Sequence, residues 1–320
     1  MMNSLKSSLK TFLKNSRLIP AVYTFFTAPL QSSLRHLEKT PPQVPQTPEK
    51  ISVIIPNYNY SAYLEQRVNS ILNQTYPISE LTILDDASTD DSQNIINDIL
   101  NKTKNAYPDI KFRFLPNQKN TGKSIAQWQK GFKTAAGNFI WLAEADDSSD
   151  PNFLATVMEK FKRDKNVVLS FSNSVAINQQ GETLLYDFQN HSVDKEKTGH
   201  WATDYLNDGQ QEIKHYLSRR CTIPNVSAVV FKNDKTIPFQ KYLEEAKQFA
   251  QVGDWYFYLK VLKHGKIAYS RPSLNFFRIH QGSITANSNR SKSQVHAQEI
   301  QTIRRLCASS ADEDSRDSVK

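Results

Sequence analysis

Apolar and polar residues recur along the middle of the chain with two periodicities that predict strands and helices in turn. Short runs of β-branched and aromatic residues are typical of buried strands, and apolar residues three and four apart are typical of helices. The predicted strands are Ile51–Pro56, Leu81–Leu84, Lys111–Leu115, Asn138–Ala143, Val167–Ile177, Val226–Phe231 and Lys266–Phe277. The predicted helices are Tyr63–Leu72, Asp90–Leu100, Ser124–Thr134, Pro151–Lys162 and Tyr256–Lys263. This alternation predicts an α/β fold with a mainly parallel sheet flanked by helices.

The first forty residues follow a different pattern. Leu5, Leu9, Phe12 and Leu13 recur at helical spacing with lysines between them. This basic, partly amphipathic pattern fits attachment to an anionic membrane face, and it fits an extension that packs on itself equally well. Residues 40–48 contain four prolines and are typical of a stiff linker.

Composition narrows the class of protein. With 320 residues, 38% of them hydrophobic, the chain can bury a large core. Its net charge of +8 suits nucleic acid, an anionic membrane or an anionic substrate. The two cysteines, Cys221 and Cys307, form neither a disulfide framework nor a zinc motif, which favours a reducing cytoplasm. No apolar run reaches the ~18 residues of a membrane-spanning helix. We therefore expect a cytoplasmic protein whose peripheral contact with the inner face of a membrane, if any, is made by residues 1–40.

Clustered carboxylates directly follow the predicted strand Asn138–Ala143. They belong to Glu144, Asp146 and Asp147. Ligands of open α/β sheets bind beyond the carboxyl ends of the strands. Mg²⁺ and Mn²⁺ suit such a cluster, because they commonly bind one or two carboxylates together with substrate phosphates. The same residues also fit a solvated loop that caps the next helix before Pro151.

Two other predicted strands also end in polar or aromatic residues. Asp85 and Asp86 end the second strand, where a carboxylate could accept hydrogen bonds from a base or ribose. They fit a helix start equally well, because Ser88 and Thr89 can cap the helix that follows. Tyr58 follows the first strand, where it can stack on a nucleobase or serve as an ordinary turn residue.

The segment that ends in Lys123 and Ser124 resembles the end of a phosphate-binding P-loop. The motif requires glycine at the position of Asn117, so a P-loop NTPase is disfavoured. What remains is that Lys123 and the N-terminus of the next helix can meet a phosphate.

Three candidate residues lie late in the chain. Asp254 stands at the start of a predicted helix, where spacing alone favours a cap over a general base. Arg278 and His280 follow the last strand and can add positive charge or a ligand to a metal–diphosphate site. A lone histidine is more often structural, and the sequence has no His-x-x-x-His pair or cysteine cluster that would indicate a zinc site.

Taken together, these segments resemble glycosyltransferase family 2. The matching segments are residues 52–59, 70–76, 84–90, 120–123, 136–140, 144–147, 224–227, 253–255 and 277–280. They span roughly residues 50 to 285, and their order is more specific than any single motif. The resemblance implies a GT-A (Rossmann-like) fold, with a smaller mixed region on the acceptor side.

The resemblance also implies roles for particular residues. Nucleotide binding falls to Pro56, Tyr58, Asp86, Lys123 and Asp146, where Tyr58 stacks on the base, Asp86 binds it and Asp146 lies near the ribose. Metal binding falls to Asp147 and His280, with Mn²⁺ or Mg²⁺ as the cofactor. Asp254 matches the catalytic base, and further candidates are Glu144, Asn225 and Arg278.

Two departures from the family pattern concern single residues. Gly253 stands where many members have an acidic residue, and Glu144 stands where aspartate is common. A third is the missing Gln-x-x-Arg-Trp signature of processive synthases, which indicates that one sugar is added at a time.

The implied function is a metal-dependent inverting glycosyltransferase. It moves one sugar from a nucleotide-diphosphate donor to the hydroxyl of a glycan or lipid-linked acceptor, in cell-surface polysaccharide or glycan biosynthesis. A nucleotidyltransferase is the first alternative, but residues 51–61 lack the glycines and lysines of its activation loop. The second alternative is a non-catalytic nucleotide-sugar-binding protein. Such a protein does not require a catalytic base, so the presence of Asp254 argues against it. A nucleic-acid binder fits the charge but not the acidic clusters.

The expected organisation has three parts. Residues 1–48 are a basic N-terminal segment with a proline-rich linker, residues 49–290 are the GT-A glycosyltransferase domain, and residues 291–320 are a C-terminal helix with a polar tail.

Overall fold

A computed structural model describes residue 45, residues 47–280 and residues 294–317, with side chains up to residue 309. The predicted membrane-contacting segment, residues 1–40, lies outside the described residues. Within the described part, no helix is both long enough and apolar enough to cross a bilayer.

The described residues form one ten-stranded sheet. Its strands are β1 (Ile51–Asn57), β2 (Glu80–Asp85), β3 (Lys111–Pro116), β4 (Phe139–Leu142), β5 (Ser148–Ser149), β6 (Val167–Ile177), β7 (Thr183–Leu185), β8 (Tyr205–Asp208), β9 (Val229–Lys232) and β10 (Lys266–Arg278). The strand order is β3-β2-β1-β4-β9-β6-β10-β5, with β7 paired to β6 and β8 paired to β10.

Helices cover both faces of this sheet. They are α1 (Ser61–Leu72), α2 (Ser92–Ala106), α3 (Ser124–Thr134), α4 (Phe153–Arg163), α5 (Gly209–Glu212), α6 (Phe239–Ala246), α7 (Gly253–Leu262) and α8 (Gln294–Asp317). Successive side chains of β1 lie on opposite faces of the sheet and belong to different hydrophobic cores. Ile54 packs on the face covered by α3 and α7, and Val53 and Ile55 pack on the face covered by α1 and α4. Because both faces are covered, the strand reads as a continuous apolar run.

Strand direction brings the carboxyl ends of six strands to one edge. β1, β2, β3 and β4 are mutually parallel. β9 is antiparallel to both β4 and β6, so β6 runs the same way as β4, and β10 is parallel to β6. The strands β1, β2, β3, β4, β6 and β10 therefore all end at the same edge, and the residues that precede β9 lie there too. The antiparallel strands are confined to the second half of the sheet, as the predicted mixed region requires.

Several predicted elements begin or end at other residues in the structure, and two of these differences concern capping side chains. Residues Val226–Ala228 form a 3₁₀ turn instead of the start of a strand, because the side chain of Asn225 accepts a hydrogen bond from the backbone N–H of Ser227 at 2.8 Å. Helix α2 begins only at Ser92, its N-cap residue Asp91 makes no capping hydrogen bond, and Asp90 Oδ1 accepts from the backbone N–H of Ser92 at 3.0 Å. The predicted capping by Ser88 and Thr89 is therefore wrong.

Candidate functional site

The shared edge of the sheet gathers the residues that the sequence singled out. Tyr58 follows β1, Asp86 follows β2, and the acidic loop Glu144–Asp147 follows β4. Asn225 precedes β9, and His280 follows β10. Segments separated by more than 200 residues of chain thus contribute to one surface.

Asp147 lies inside the acidic loop and is only 2% exposed. One carboxylate oxygen accepts hydrogen bonds from Asn225 Nδ2 at 2.9 Å and Ser227 Oγ at 2.6 Å. The other accepts one from the backbone N–H of Arg278 at 2.9 Å. Burial, with repulsion from Asp146 as a second cause, raises the pKa of Asp147 to about 6. Both carboxylate oxygens of Asp147, the predicted metal ligand, therefore accept hydrogen bonds from protein groups.

The side chains of Asp146, in the acidic loop, and His280, just after β10, form a largely buried pair. Asp146 Oδ2 lies 3.0 Å from His280 Nε2, and the side chains are 14% and 7% exposed. The rings of Tyr60 and Tyr63 flank the imidazole, with centroids 5.5 and 5.6 Å away. Burial, followed by the charges of the acidic loop, raises the pKa of Tyr60, so its hydroxyl stays protonated beside them. This pair is the arrangement of the loop that most resembles a metal site.

Glu144 faces a hydrogen-bond donor of helix α3. Its Oε1 accepts a hydrogen bond from Trp128 Nε1 at 2.7 Å. Burial, followed by repulsion from Asp146, raises the pKa of Glu144 to about 8. Burial thus favours the protonated form of Glu144, while the hydrogen bond from Trp128 and the charge of Arg67 favour the ionised form.

Arg278 ties the acidic loop to the rest of the edge. Its Nε donates to the carbonyl oxygen of Asp146 at 2.7 Å, and Nη1 donates to the carbonyls of Asn178 and Gln179 at 2.9 and 3.0 Å. Nη2 donates to Gln66 at 2.7 Å. Four N–H groups of the side chain thus have protein partners, and the expected contact with a diphosphate stays a prediction.

Lys123 also has a protein partner. It is the N-cap residue of α3, and its ammonium group donates to the carbonyl oxygen of Lys247, just after α6. The lysine therefore links two helices, and no described ion pair joins it to the acidic loop.

Arg67 is a residue that the sequence analysis missed. Its side chain is fully buried on α1, with Nη1 donating to Ser149 Oγ at 3.0 Å and the guanidinium 5.0 Å from the ring centroid of Trp141. Nε and Nη2 have no hydrogen-bond partner. Burial lowers the pKa of Arg67 to about 10, while the carboxylates of the acidic loop oppose that shift. Arg67 thus places a positive charge beneath the loop.

A signal for Arg67 was present in its spacing. It stands three residues after Leu64 and four before Ile71, which places it on the buried face of an amphipathic helix. An arginine on such a face requires a partner inside the protein.

Asp85 and Asp86 are adjacent but accept hydrogen bonds from different parts of the chain. Asp85 is fully buried and accepts hydrogen bonds from Asn57 Nδ2 and from the backbone N–H of Ser88, so it holds β1 and β2 together. Asp86 accepts hydrogen bonds from side chains that follow β3 and from α3. The donors are Asn117 Nδ2 at 2.7 Å, Thr121 Oγ1 at 2.7 Å and Gln127 Nε2 at 2.7 Å. Tyr58, by contrast, is 43% exposed, and Pro56 is buried within β1.

Asp254 is the second residue of α7, which begins three residues earlier than predicted. The N-cap residue is Val252, so the cap interpretation of Asp254 is wrong. Its Oδ1 accepts a hydrogen bond from the backbone N–H of Trp255 at 2.7 Å. Burial raises the pKa of Asp254 from 3.8 to about 6. A carboxylate with a pKa near neutrality is suited to accept a proton during a reaction.

The residues at this edge suit a metal that is shared with a substrate. Among residues 47–280 and the described part of α8, no three histidine, cysteine or acidic side chains form a complete metal-binding group. The Asp146–His280 pair offers two ligands side by side. Mg²⁺ and similar ions typically take one or two carboxylates and complete their shell with substrate phosphates and water. The donor set therefore fits a cation that binds together with a diphosphate.

Solved structures show the same fold. TarS of S. aureus, in complex with UDP-GlcNAc, aligns with a TM-score of 0.55 at 18% identity, over 81% of this chain and 65% of that one. The mannosyltransferase PcManGT of Pyrobaculum calidifontis, in complex with GDP-Man and Mn²⁺, aligns with a TM-score of 0.53 at 16% identity, over 88% of this chain and 75% of that one. The fold is that of GT-A glycosyltransferases, as predicted.

Sequence comparison defines the family. Residues 52–217 match the model of Glycosyl transferase family 2. An uncharacterised glycosyltransferase of Haemophilus influenzae is 31% identical over 250 residues, which are 77% of this chain and 84% of that protein. TuaG of Bacillus subtilis, a glycosyltransferase whose name assigns it to teichuronic acid biosynthesis, is 31% identical over 134 residues, 42% of this chain and 50% of that one. The chain belongs to glycosyl transferase family 2 and is a glycosyltransferase.

Proposed function

We propose that this glycosyltransferase transfers one sugar, with inversion, from a nucleotide-diphosphate donor to an acceptor hydroxyl, and that it depends on Mn²⁺ or Mg²⁺. The observation that carries the proposal is the edge of the sheet that holds the Asp146–His280 pair, together with a partly buried carboxylate of raised pKa, Asp254, on helix α7. These are the two chemical parts that the reaction needs: a place for the diphosphate and a base.

The donor nucleotide binds at the ends of β1 and β2. Tyr58 is half-exposed there and offers a ring face to the base. Asp86 offers carboxylate oxygens, already surrounded by the donors of Asn117, Thr121 and Gln127. These amide and hydroxyl groups can contact the oxygens of the base while Asp86 accepts from its ring N–H.

Asp146 and His280 hold the metal, and Asp147 supports them from within. This assignment moves the metal contact by one residue, because both oxygens of Asp147 are already hydrogen-bonded to protein groups. When bound, such a cation stabilises the negative charge that develops on the departing diphosphate. The complex of the mannosyltransferase PcManGT with GDP-Man and Mn²⁺ supports this choice of cofactor.

Asp254 acts as the general base. Its carboxylate takes the proton of the acceptor hydroxyl while that oxygen attacks the anomeric carbon from the face opposite the diphosphate, which inverts the configuration. A positioned base of this kind contributes about 10²–10⁴-fold to the rate. Burial supports the role, because it raises the pKa of Asp254 to about 6 and makes the carboxylate a better proton acceptor than a solvated aspartate.

The biological role that we propose is the assembly of a surface polysaccharide or another glycan on a glycan or lipid-linked acceptor. The relative TuaG supports this role by the pathway in its name. We also propose a cytoplasmic location with peripheral contact at the inner membrane face through residues 1–40. Sedimentation with anionic liposomes tests the contact: the full chain should pellet and a chain lacking residues 1–48 should not. Equal pelleting of the two would contradict it.

The test of the function is a donor screen. The purified chain is incubated with a panel of nucleotide sugars and glycan acceptors, with and without Mn²⁺, and the release of nucleoside diphosphate is followed. We expect metal-dependent, acceptor-dependent release that falls about 10²–10⁴-fold in the Asp254→Asn variant. Full acceptor-dependent turnover by that variant contradicts the mechanism. Release of pyrophosphate would indicate a nucleotidyltransferase, and binding without turnover would indicate a nucleotide-sugar-binding protein.

A further inference from the structure

Tyr258 stands four residues after Asp254 on helix α7. Residues at this spacing share one face of a helix. Helical side chains lean toward the N-terminus, so the ring of Tyr258 covers the turn that carries Asp254. The residue is fully buried, and its ring lies nearly parallel to that of Phe231, 6.3 Å away and tilted by 13°. Packing against Phe231 therefore fixes the ring of Tyr258 on the helix face that it shares with Asp254.

The hydroxyl of Tyr258 is buried without a hydrogen-bond partner. A buried hydroxyl in this state is a cost to the fold and requires an explanation. Burial raises the pKa of Tyr258 well above its ordinary value, and the next causes are the charges of Asp254, Cys221 and Glu144. The hydroxyl therefore keeps its proton, and the charges of both Asp254 and Glu144 act on it.

We propose that Tyr258 is a positioning residue for Asp254, and that its hydroxyl is the donor kept for the ionised carboxylate of the base. The inference rests on the proposed role of Asp254. Oδ1 of Asp254 already accepts from the backbone N–H of Trp255, so the tyrosine can serve the second oxygen. A carboxylate held by two donors has one orientation, which sets the direction from which the acceptor hydroxyl is deprotonated. The proton moves from that hydroxyl to Asp254, and Tyr258 retains its own.

Other ionisable groups around α7 have partners elsewhere. Burial raises the pKa of the Cys221 thiol well above its ordinary value, so it stays neutral. Glu245 of α6 accepts a hydrogen bond from Tyr256 at 2.6 Å. Glu299 of α8 accepts hydrogen bonds from the backbone N–H groups of Ala250 and Gln251 at 2.6 and 3.0 Å. Tyr258 is therefore the side chain whose removal should act on Asp254 most directly.

The chain provides a matched control in Tyr269 on β10. This tyrosine is also fully buried, and its hydroxyl also lacks a hydrogen-bond partner. The charged groups near it are those of Asp187, Arg271 and Asp204, none of which belongs to the proposed mechanism. Tyr258→Phe and Tyr269→Phe thus remove the same group from equally buried surroundings.

The experiment compares both variants with the full chain in three measurements. We expect both variants to keep or raise Tm, because each loses an unpartnered hydroxyl. Only Tyr258→Phe should lower kcat, by about tenfold, with the Kd for nucleoside diphosphate unchanged. It should also raise the pKa of the Asp254 carboxyl by about one unit in a ¹³C NMR titration, because a hydrogen bond to the charged form is lost.

The outcomes separate the inference from the function on which it rests. An unchanged kcat and an unchanged carboxyl titration in Tyr258→Phe would overturn the inference, as would equal losses in the two tyrosine variants. If Asp254→Asn keeps full activity, the base assignment itself fails. If Asp254→Asn is impaired while Tyr258→Phe is not, only the positioning role fails. The NMR titration decides the matter even before a donor sugar is identified.

Discussion

The side chains of Asp146 and His280 meet at 3.0 Å, although 134 positions of chain separate them. Asp146 follows β4 and His280 follows β10, and the two strands are joined in the sheet only through β9 and β6. The contact therefore depends on the antiparallel half of the sheet being complete. The proposed metal contact at this pair therefore depends on residues from both ends of the domain being brought together.

The assignment of the metal contact can be tested by three substitutions. Asp146→Asn and His280→Gln should weaken Mn²⁺ binding in the presence of nucleoside diphosphate by about 10-fold or more, with little change in Tm. Asp147→Asn should instead lower Tm, because an amide cannot accept from all three donors of Asp147. Calorimetric titration with Mn²⁺ and thermal unfolding measure the two effects. The opposite pattern would return the metal contact to Asp147.

Tyr58 should matter for the donor and not for the fold. It is 43% exposed, so Tyr58→Ala should leave Tm within about 1–2 °C of the unchanged chain. Loss of a stacked ring should weaken nucleoside diphosphate binding by roughly 1–3 kcal/mol. Tyr58→Phe is the control and should bind as the unchanged chain does. Equal affinity of the alanine and phenylalanine variants would argue against stacking.

Asp254 should carry a stability cost that depends on pH. Its pKa is raised from 3.8 to about 6, so the folded chain holds the proton more tightly than the unfolded chain. The contribution of this group to stability is therefore full below about pH 4 and is lost as the pH rises through about 6. Asp254→Asn should raise the unfolding free energy at pH 8 on the order of 1–3 kcal/mol and leave it unchanged at pH 4. A difference that is equal at both pH values would contradict the raised pKa.

Arg278 should be essential to the fold of the site. Its guanidinium donates four hydrogen bonds to groups of three segments and lies 4.8 Å from the ring centroid of Tyr63. Arg278→Ala leaves those acceptors unpaired and should cost about 2–5 kcal/mol. Arg163→Ala is the control, because that arginine is exposed and its ion pair with Glu159 is worth at most about 0.5 kcal/mol. Urea unfolding measures both, and equal costs would exclude the bracing role.

Much of the fold was predictable from local pattern. Helix α3 and strand β6 have the predicted bounds, because each is a continuous periodic segment with clear ends. The apolar residues of Val226–Ala228 predict a strand, but the segment forms a turn. The turn is held by a hydrogen bond from the backbone N–H of Ser227 to the side chain of Asn225. Hydrogen bonds from the backbone to a side chain compete with those of helices and strands, and the periodicity of apolar residues does not reveal them.

The sequence predicts which residues lie at this edge of the sheet, but it does not predict which way their side chains point. The order of motifs brought Tyr58, Asp86 and the acidic loop to one edge. Which of two adjacent aspartates faces inward could not be predicted, because the choice depends on donors from Asn225 and Arg278, 78 and 131 positions away in sequence. The spacing of Arg67 on α1 indicates that it is buried, but its partners Ser149 and Trp141 lie on other elements and could not be predicted.

The large sequence separation between Arg278 and Asp147 affects when the site can form during translation. The two residues are 131 positions apart, and Arg278 belongs to the last strand of the sheet. At a synthesis rate of about 5–20 residues per second, the acidic loop leaves the ribosome roughly 7–26 s before the residue that secures it. During that interval the carboxylates lack their bracing partner and His280 has not been added. The growing chain can therefore form its parallel strands early, but the site is complete only after Arg278 and His280 have been synthesised.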